Sequence, residues 1–178
     1  MDTHTALAAP AGAEPKERPA MTGKIAVGGI TRKDDLVLIR ILGARSGHGL
    51  AGKSLSTLGL GGINIICVTS FVDGEGLNNI CFAIGSRDLD QSLGLLQSIQ
   101  EEIQARDIDY QRGCSAISIY GPHFSERPAI AGTIFEATAE AQVPVHMIST
   151  SFSTVTFLTD EQLAATAVEK LQEYFLVP

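Results

Sequence analysis

The segment Gly43-Ala44-Arg45-Ser46-Gly47-His48-Gly49 is the part of this chain best placed to do chemistry. It ends an apolar run and leads into Leu50 to Leu60, where Leu50, Ala51, Leu55 and Leu58 recur near helical spacing, so it delivers the chain into the start of a helix. The first N–H groups of a helix have no partner within it and its dipole favours negative charge, so such a loop can receive a carboxylate. Its glycines let the backbone come close to a ligand. The other reactive side chains do not gather. Cys67, Cys81 and Cys114 lie inside apolar runs without a CxxC, and His48, His123 and His146 are scattered without ligand spacing, which predicts reduced core thiols and no metal site. No nucleophile–base pair and no phosphate-cradling glycine loop is visible, so the chemistry is binding rather than catalysis.

The elements that position this loop occur twice. Gly62-Ile63-Asn64-Ile65-Ile66-Cys67-Val68-Thr69-Ser70 returns as Val143-Pro144-Val145-His146-Met147-Ile148-Ser149-Thr150-Ser151. In the first copy the pattern predicts a strand from Leu36 to Leu42, a helix to Leu60, a strand from Ile63 to Val72, a hairpin turn at Asp73-Gly74-Glu75-Gly76 and a strand from Asn79 to Ile84. A helix capped by Ser86 follows, with Leu89, Leu93, Leu96, Ile99 and Ile103 as its apolar stripe, and Asp109 to Arg112 completes a βαββαβ unit. The second copy reads as strand 116–120, helix 129–141, strands 145–151 and 154–159, and a helix from Asp160 to Phe175. Leu176-Val177-Pro178 is too short to supply its fourth strand, so Lys24 to Ile30 is expected to cross over and fill that edge, which makes the first unit an insertion within the second. The helix pairs are expected on one face of the sheets.

With 178 residues, 44% of them apolar, the chain can bury a real core. A net charge of -7 and the lack of a basic run argue against nucleic acid and anionic membrane as partners. No run approaches the roughly 20 apolar residues of a membrane span. Residues 1–22, rich in Ala, Pro, Glu and Thr, lack the apolar core of a signal peptide and read as a disordered leader; with reduced cysteines this suits the cytoplasm.

The run Ala137 to Ser151, ATAEAQVPVHMISTS, resembles the regulatory regions of aspartate kinases, which carry two ACT units in tandem; Gly29 to Asp34 and Ala167 to Phe175 are similar to the entry and exit of that region. The likeness extends from Gly23 to the end. It implies an α+β fold of two ferredoxin-like βαββαβ ACT units packed side by side, the first (32–112) inserted within the second (23–31 and 113–178). It also implies a homodimer, no cofactor, and an amino-acid effector, lysine or threonine, held between units. The family's catalytic sites lie on a longer amino-terminal domain that residues 1–22 are too short to form, so the resemblance implies a regulatory piece, not an enzyme, that partners an aspartate kinase catalytic domain or subunit. Carried over position by position, the effector contacts are Arg45, Ser46, Gly47, His48, Gly49 and Leu50, then Asn64 and Ile65, then Ser149, Thr150 and Ser151. Gly49 and Asn64 match the family, whereas Ser46 stands where an acid is common and His48 where proline is usual. A stand-alone amino-acid sensor and a purely structural dimerisation module are the alternatives.

Overall fold

The computed structural model describes residues 23–45, 49–122, 124 and 130–178. The expected leader, Ser46, Gly47 and His48 lie outside the described residues. In chain order the elements are β1 (Ile25–Ala26), β2 (Gly29–Ala44), α1 (Leu50–Leu60), β3 (Ile65–Val72), β4 (Asn78–Gly85), α2 (Leu89–Ile103), β5 (Asp107–Tyr120), α3 (Ile130–Glu140), β6 (Met147–Thr150), β7 (Thr154–Asp160), α4 (Ala164–Tyr174) and β8 (Phe175–Leu176). Short 3-10 turns at Ser86–Asp88 and Glu161–Leu163 lead into α2 and α4. The stripe on α2 works as its spacing requires: Leu89, Leu96, Ile99 and Ile103 are buried and Leu93 packs beside them.

Six strands form one antiparallel sheet in the order β3-β4-β2-β5-β7-β6. Its centre is the long pairing of β2 with β5, from Gly29 opposite Tyr120 to Leu42 opposite Asp107. β4 pairs with β2 only from Leu36 onward, and β7 with β5 only from Cys114 onward, so each long strand serves both halves of the sheet. Alternation sorts the side chains by face. Val37, Ile39, Ile41, Ile80, Phe82 and Ile84 form a core with α1 and α2, while Ile117, Ile119, Val155 and Phe157 form another with α3 and α4. The register puts Leu36 opposite Cys114, on the face away from the helices, where Leu36, Leu38, Ala83, Cys114, Ala116, Met147 and Leu158 make a third core. The sheet curls around that core far enough for its two outer strands to touch, and Ser149 Oγ donates to the Val68 carbonyl at 3.3 Å.

Several expectations are corrected here. Lys24 to Ile30 and Leu36 to Leu42 are not separate strands: apart from the short β1 they merge into β2, and Asp109 to Arg112 merges with Ala116 to Tyr120 into β5. The residues that read as breaks are bulges, with Asp35 at φ 59° and Gly113 at φ 68°. The bulge in β2 is held by side chains of both strands, since Asp34 Oδ1 accepts from Ser115 Oγ of β5 at 2.5 Å and Arg32 Nε at 2.6 Å. Ser86 does not cap α2; its hydroxyl donates to Asp35, and Asp88 at the N-cap makes no side-chain cap. The chain end does pair, because Phe175–Leu176 runs parallel to Ile25–Ala26 in a separate two-residue ladder that covers the α3/α4 core.

Leu38 is fully buried in the core common to both halves. Leu38→Ala is expected to cost about 2–5 kcal/mol. Calorimetry should show one cooperative transition moved to lower temperature, and two separated transitions would contradict a shared core.

Candidate functional site

The α1 amino terminus opens on a cleft. Gly49 stands at its N-cap with φ 112°, its carbonyl accepts the Lys53 N–H at 2.7 Å, and among the described residues no side chain caps the first turn. That turn contains no acidic residue, so its N–H groups present uncompensated positive charge. β3 runs parallel to β2, which brings its far end back beside the start of α1. The resulting cleft, about 260 Å³, is lined by Gly49, Leu50, Ala51, Ser70, Phe71, Val72, Asn78, Asn79 and Ile80. No charged side chain is among them.

The β3–β4 hairpin is stiffened by Asp73. Its Oδ1 accepts the backbone N–H groups of Leu77 at 2.9 Å and Glu75 at 3.0 Å, and its Oδ2 accepts from Asn79 Nδ2 at 3.1 Å. These bonds favour the carboxylate, with the Leu77 N–H contributing most, and hold its pKa below the ordinary 3.8. The side chain of buried Asn79 is held on both ends: Nδ2 also donates to the Leu77 carbonyl at 3.0 Å, and Oδ1 accepts the Gly43 N–H at 2.9 Å.

Of the described residues expected to bind an effector, Gly49 and Leu50 line this cleft. Arg45 lines a different, wider depression with Gly43, Gln97, Gln100, Glu101, Gln104 and Arg106, against the carboxyl end of α2. Asn64 and Ile65 are at the opposite end of β3, roughly 25 Å from Val72 at a strand rise of about 3.3 Å per residue. Ser149 and Thr150 lie on β6, where Ser149 meets the middle of β3. Ser151 is occupied within the β6–β7 hairpin: its N–H donates to the Thr154 carbonyl at 2.8 Å and its Oγ accepts the Ser153 N–H at 3.4 Å. One chain therefore does not gather all these residues. Sequence reasoning missed Ala51, Ser70, Phe71, Val72, Asn78, Asn79 and Ile80; the signal for those beyond α1 was the strand–helix–strand order, which returns the end of the second strand to the start of the helix.

The other reactive groups are committed elsewhere. Burial pushes the Cys67 thiol up to about 11 and raises Cys81 and Cys114, so none is a ready nucleophile. His146 Nε2 lies 2.8 Å from Asp160 Oδ1 and 3.0 Å from Gln111 Nε2, joining β5 and β7. Among the described residues no three His, Cys, Asp or Glu side chains are grouped to hold a metal ion, and no helix is long and apolar enough to cross a membrane.

Residues 117–175 match the ACT domain family. Over 160 residues, 90% of this chain, the sequence is 26% identical to the aspartokinase of Geobacillus stearothermophilus, of whose length the chain spans 38%. The fold matches a crystal structure of aspartokinase alpha and beta subunits with a TM-score of 0.75 and 26% identity, covering 83% of this chain and 97% of that one. It likewise matches the ligand-free regulatory subunit of aspartate kinase from Thermus thermophilus, with a TM-score of 0.76 and 21% identity over 84% of this chain and 99% of that one. The chain is thus similar in sequence to aspartokinases and has the fold of aspartate kinase regulatory subunits.

The Asp73 bonds give the hairpin a pH dependence of known sign. Because the folded state lowers its pKa, its contribution is present above the unfolded value of about 3.9 and is lost as pH falls through the lower folded value. Asp73→Ala is expected to lower the melting temperature at neutral pH and to flatten the decline below pH about 4. An unchanged acid limb in thermal melts would show that Asp73 does not titrate with folding.

Proposed function

We propose that this chain is an amino-acid-binding regulatory part of an aspartate kinase, with two ACT units of which the first, 32–112, is inserted between 23–31 and 113–178. The observation that carries this reading is the uncapped start of α1 opening on a neutral cleft of about 260 Å³. An effector would place its α-carboxylate on the N–H groups of Leu50, Ala51 and Gly52 and its side chain against Phe71 and Val72. Lysine and threonine are the two candidates the aspartate kinase likeness supplies. The cleft offers no carboxylate for a side-chain ammonium: the Asp73 oxygens are engaged in the hairpin and Glu75 pairs with Arg106 at 3.3 Å. An amino acid with an uncharged side chain, threonine before lysine, is the better fit.

The separation of Asn64 from Gly49 supports a dimer. An effector touching both needs the far end of a second chain's edge strand beside this cleft, and β3 offers one: it is one of the sheet's two outer strands, with Val68, Phe71 and Val72 exposed. Effector held between chains would favour one dimer arrangement by differential affinity, and the kinase catalytic domain or subunit would respond to that arrangement in the cytoplasm.

Ala51→Glu tests the reading, since it puts a carboxylate where the effector's would sit. An acid in the first turn stabilises a helix by about 0.3–1 kcal/mol, so the melting temperature should hold or rise while the shift produced by millimolar threonine disappears. Threonine stabilising the variant as well as the parent would refute the site. Sedimentation is expected to give a dimer at micromolar concentration and a monomer for Phe71→Lys; a monomeric parent would remove the inter-chain effector site.

A further inference from the structure

We infer that Asn79 is the positioning residue of the α1 cleft, setting where β2 delivers the chain and thereby where the helix start stands. The inference rests on the amino-acid-binding reading. Between the pairs Ile41–Ile80 and Ala44–Asn78, two residues of β2, Leu42 and Gly43, face one residue of β4, Asn79. This is a bulge, and a bulge leaves a ladder N–H without its strand partner. The orphan is the Gly43 N–H, and the Asn79 side chain supplies the missing acceptor at 2.9 Å.

The backbone at this bulge has little freedom. Gly43 holds φ 65°, and a Cβ there would lie 2.9 Å from Arg106 Cβ. Leu42 is fastened from the other side, its carbonyl accepting the Arg106 N–H at 3.0 Å. Asn79 turns this constrained exit toward the hairpin: the amide that accepts from Gly43 donates to Asp73 and Leu77. The same residue lines the cleft beside Gly49 and Leu50. One side chain, 5% exposed, therefore ties together the exit of β2, the β3–β4 turn and the wall of the cleft, and it uses every hydrogen-bonding site of its amide but one acceptor lone pair. It acts on a ligand through Gly43 and the hairpin.

The test pairs amide hydrogen exchange with threonine titration on Asn79→Ala, using Phe157→Leu in the α3/α4 core as a control of reduced stability. Asn79→Ala is expected to speed exchange at Gly43 and to weaken threonine affinity about tenfold while the chain stays folded. Phe157→Leu should change neither. If Asn79→Ala fails to fold, Asn79→Thr, which suits a strand but cannot reach Gly43, replaces it with the same two expectations. Unaltered Gly43 exchange in Asn79→Ala, or weakening matched by Phe157→Leu, would overturn the inference. Should the parent bind no amino acid, the functional reading fails, and Gly43 exchange still decides by itself whether Asn79 holds the bulge.

Discussion

The pairing of β2 with β5 is the constraint on which the rest of the fold depends. Because both strands run through both halves, neither helix pair can acquire its side of the sheet independently, and the face without helices becomes a common core around Leu36, Leu38, Cys114 and Leu158. Two bulges make this possible. Without Asp35 and Gly113 in left-handed conformations the strands could not shift register at the junction, and the curl that brings β6 against β3 would be lost. The cost of placing a non-glycine residue at φ 59° is offset by local bonds: Asp35 N–H donates to Glu161 Oε2 at 3.2 Å and its carboxylate accepts from Ser86.

That architecture explains how distant parts of the chain can influence one another. The turns that open α2 and α4 both reach the β2 bulge, through Ser86 and Glu161. The candidate effector cleft lies at the other end of β2, beyond the second bulge at Leu42–Gly43. Under the proposed reading, a ligand at the start of α1 would act on a strand whose other end belongs to the second half. Such a shared rigid element is what a bistable regulatory unit needs.

Much of this was legible in the sequence, for physical reasons. Helical spacing exposed the α2 stripe, and the Asp73 to Gly76 turn announced the hairpin, because those signals are local. The duplicated motif marked the two copies of the strand that follows each first helix. Continuity was not legible: Arg32 to Asp35 and Gly113 look like chain breaks, and only the pairing across the sheet shows that they are bulges. The site was half legible for the same reason. Gly49 and Leu50 are adjacent to the helix start by sequence, whereas Ser70 to Val72 and Asn79 arrive through topology, and Asn64 is carried to the far end of β3 by the same topology. Asn79 reads as an ordinary polar residue at a strand start, and nothing nearby in sequence announces that its amide replaces a missing ladder bond.

In the proposed reading the start of α1 holds the carboxylate of an amino acid with an uncharged side chain. Calorimetric titration of the purified chain with threonine, threonine amide and lysine tests it most directly, since the amide keeps the side chain and ammonium but removes the carboxylate. A saturable heat is expected with threonine, none with the amide, and weaker binding of lysine. Equal binding of threonine and its amide, or lysine binding more tightly than threonine, would contradict it.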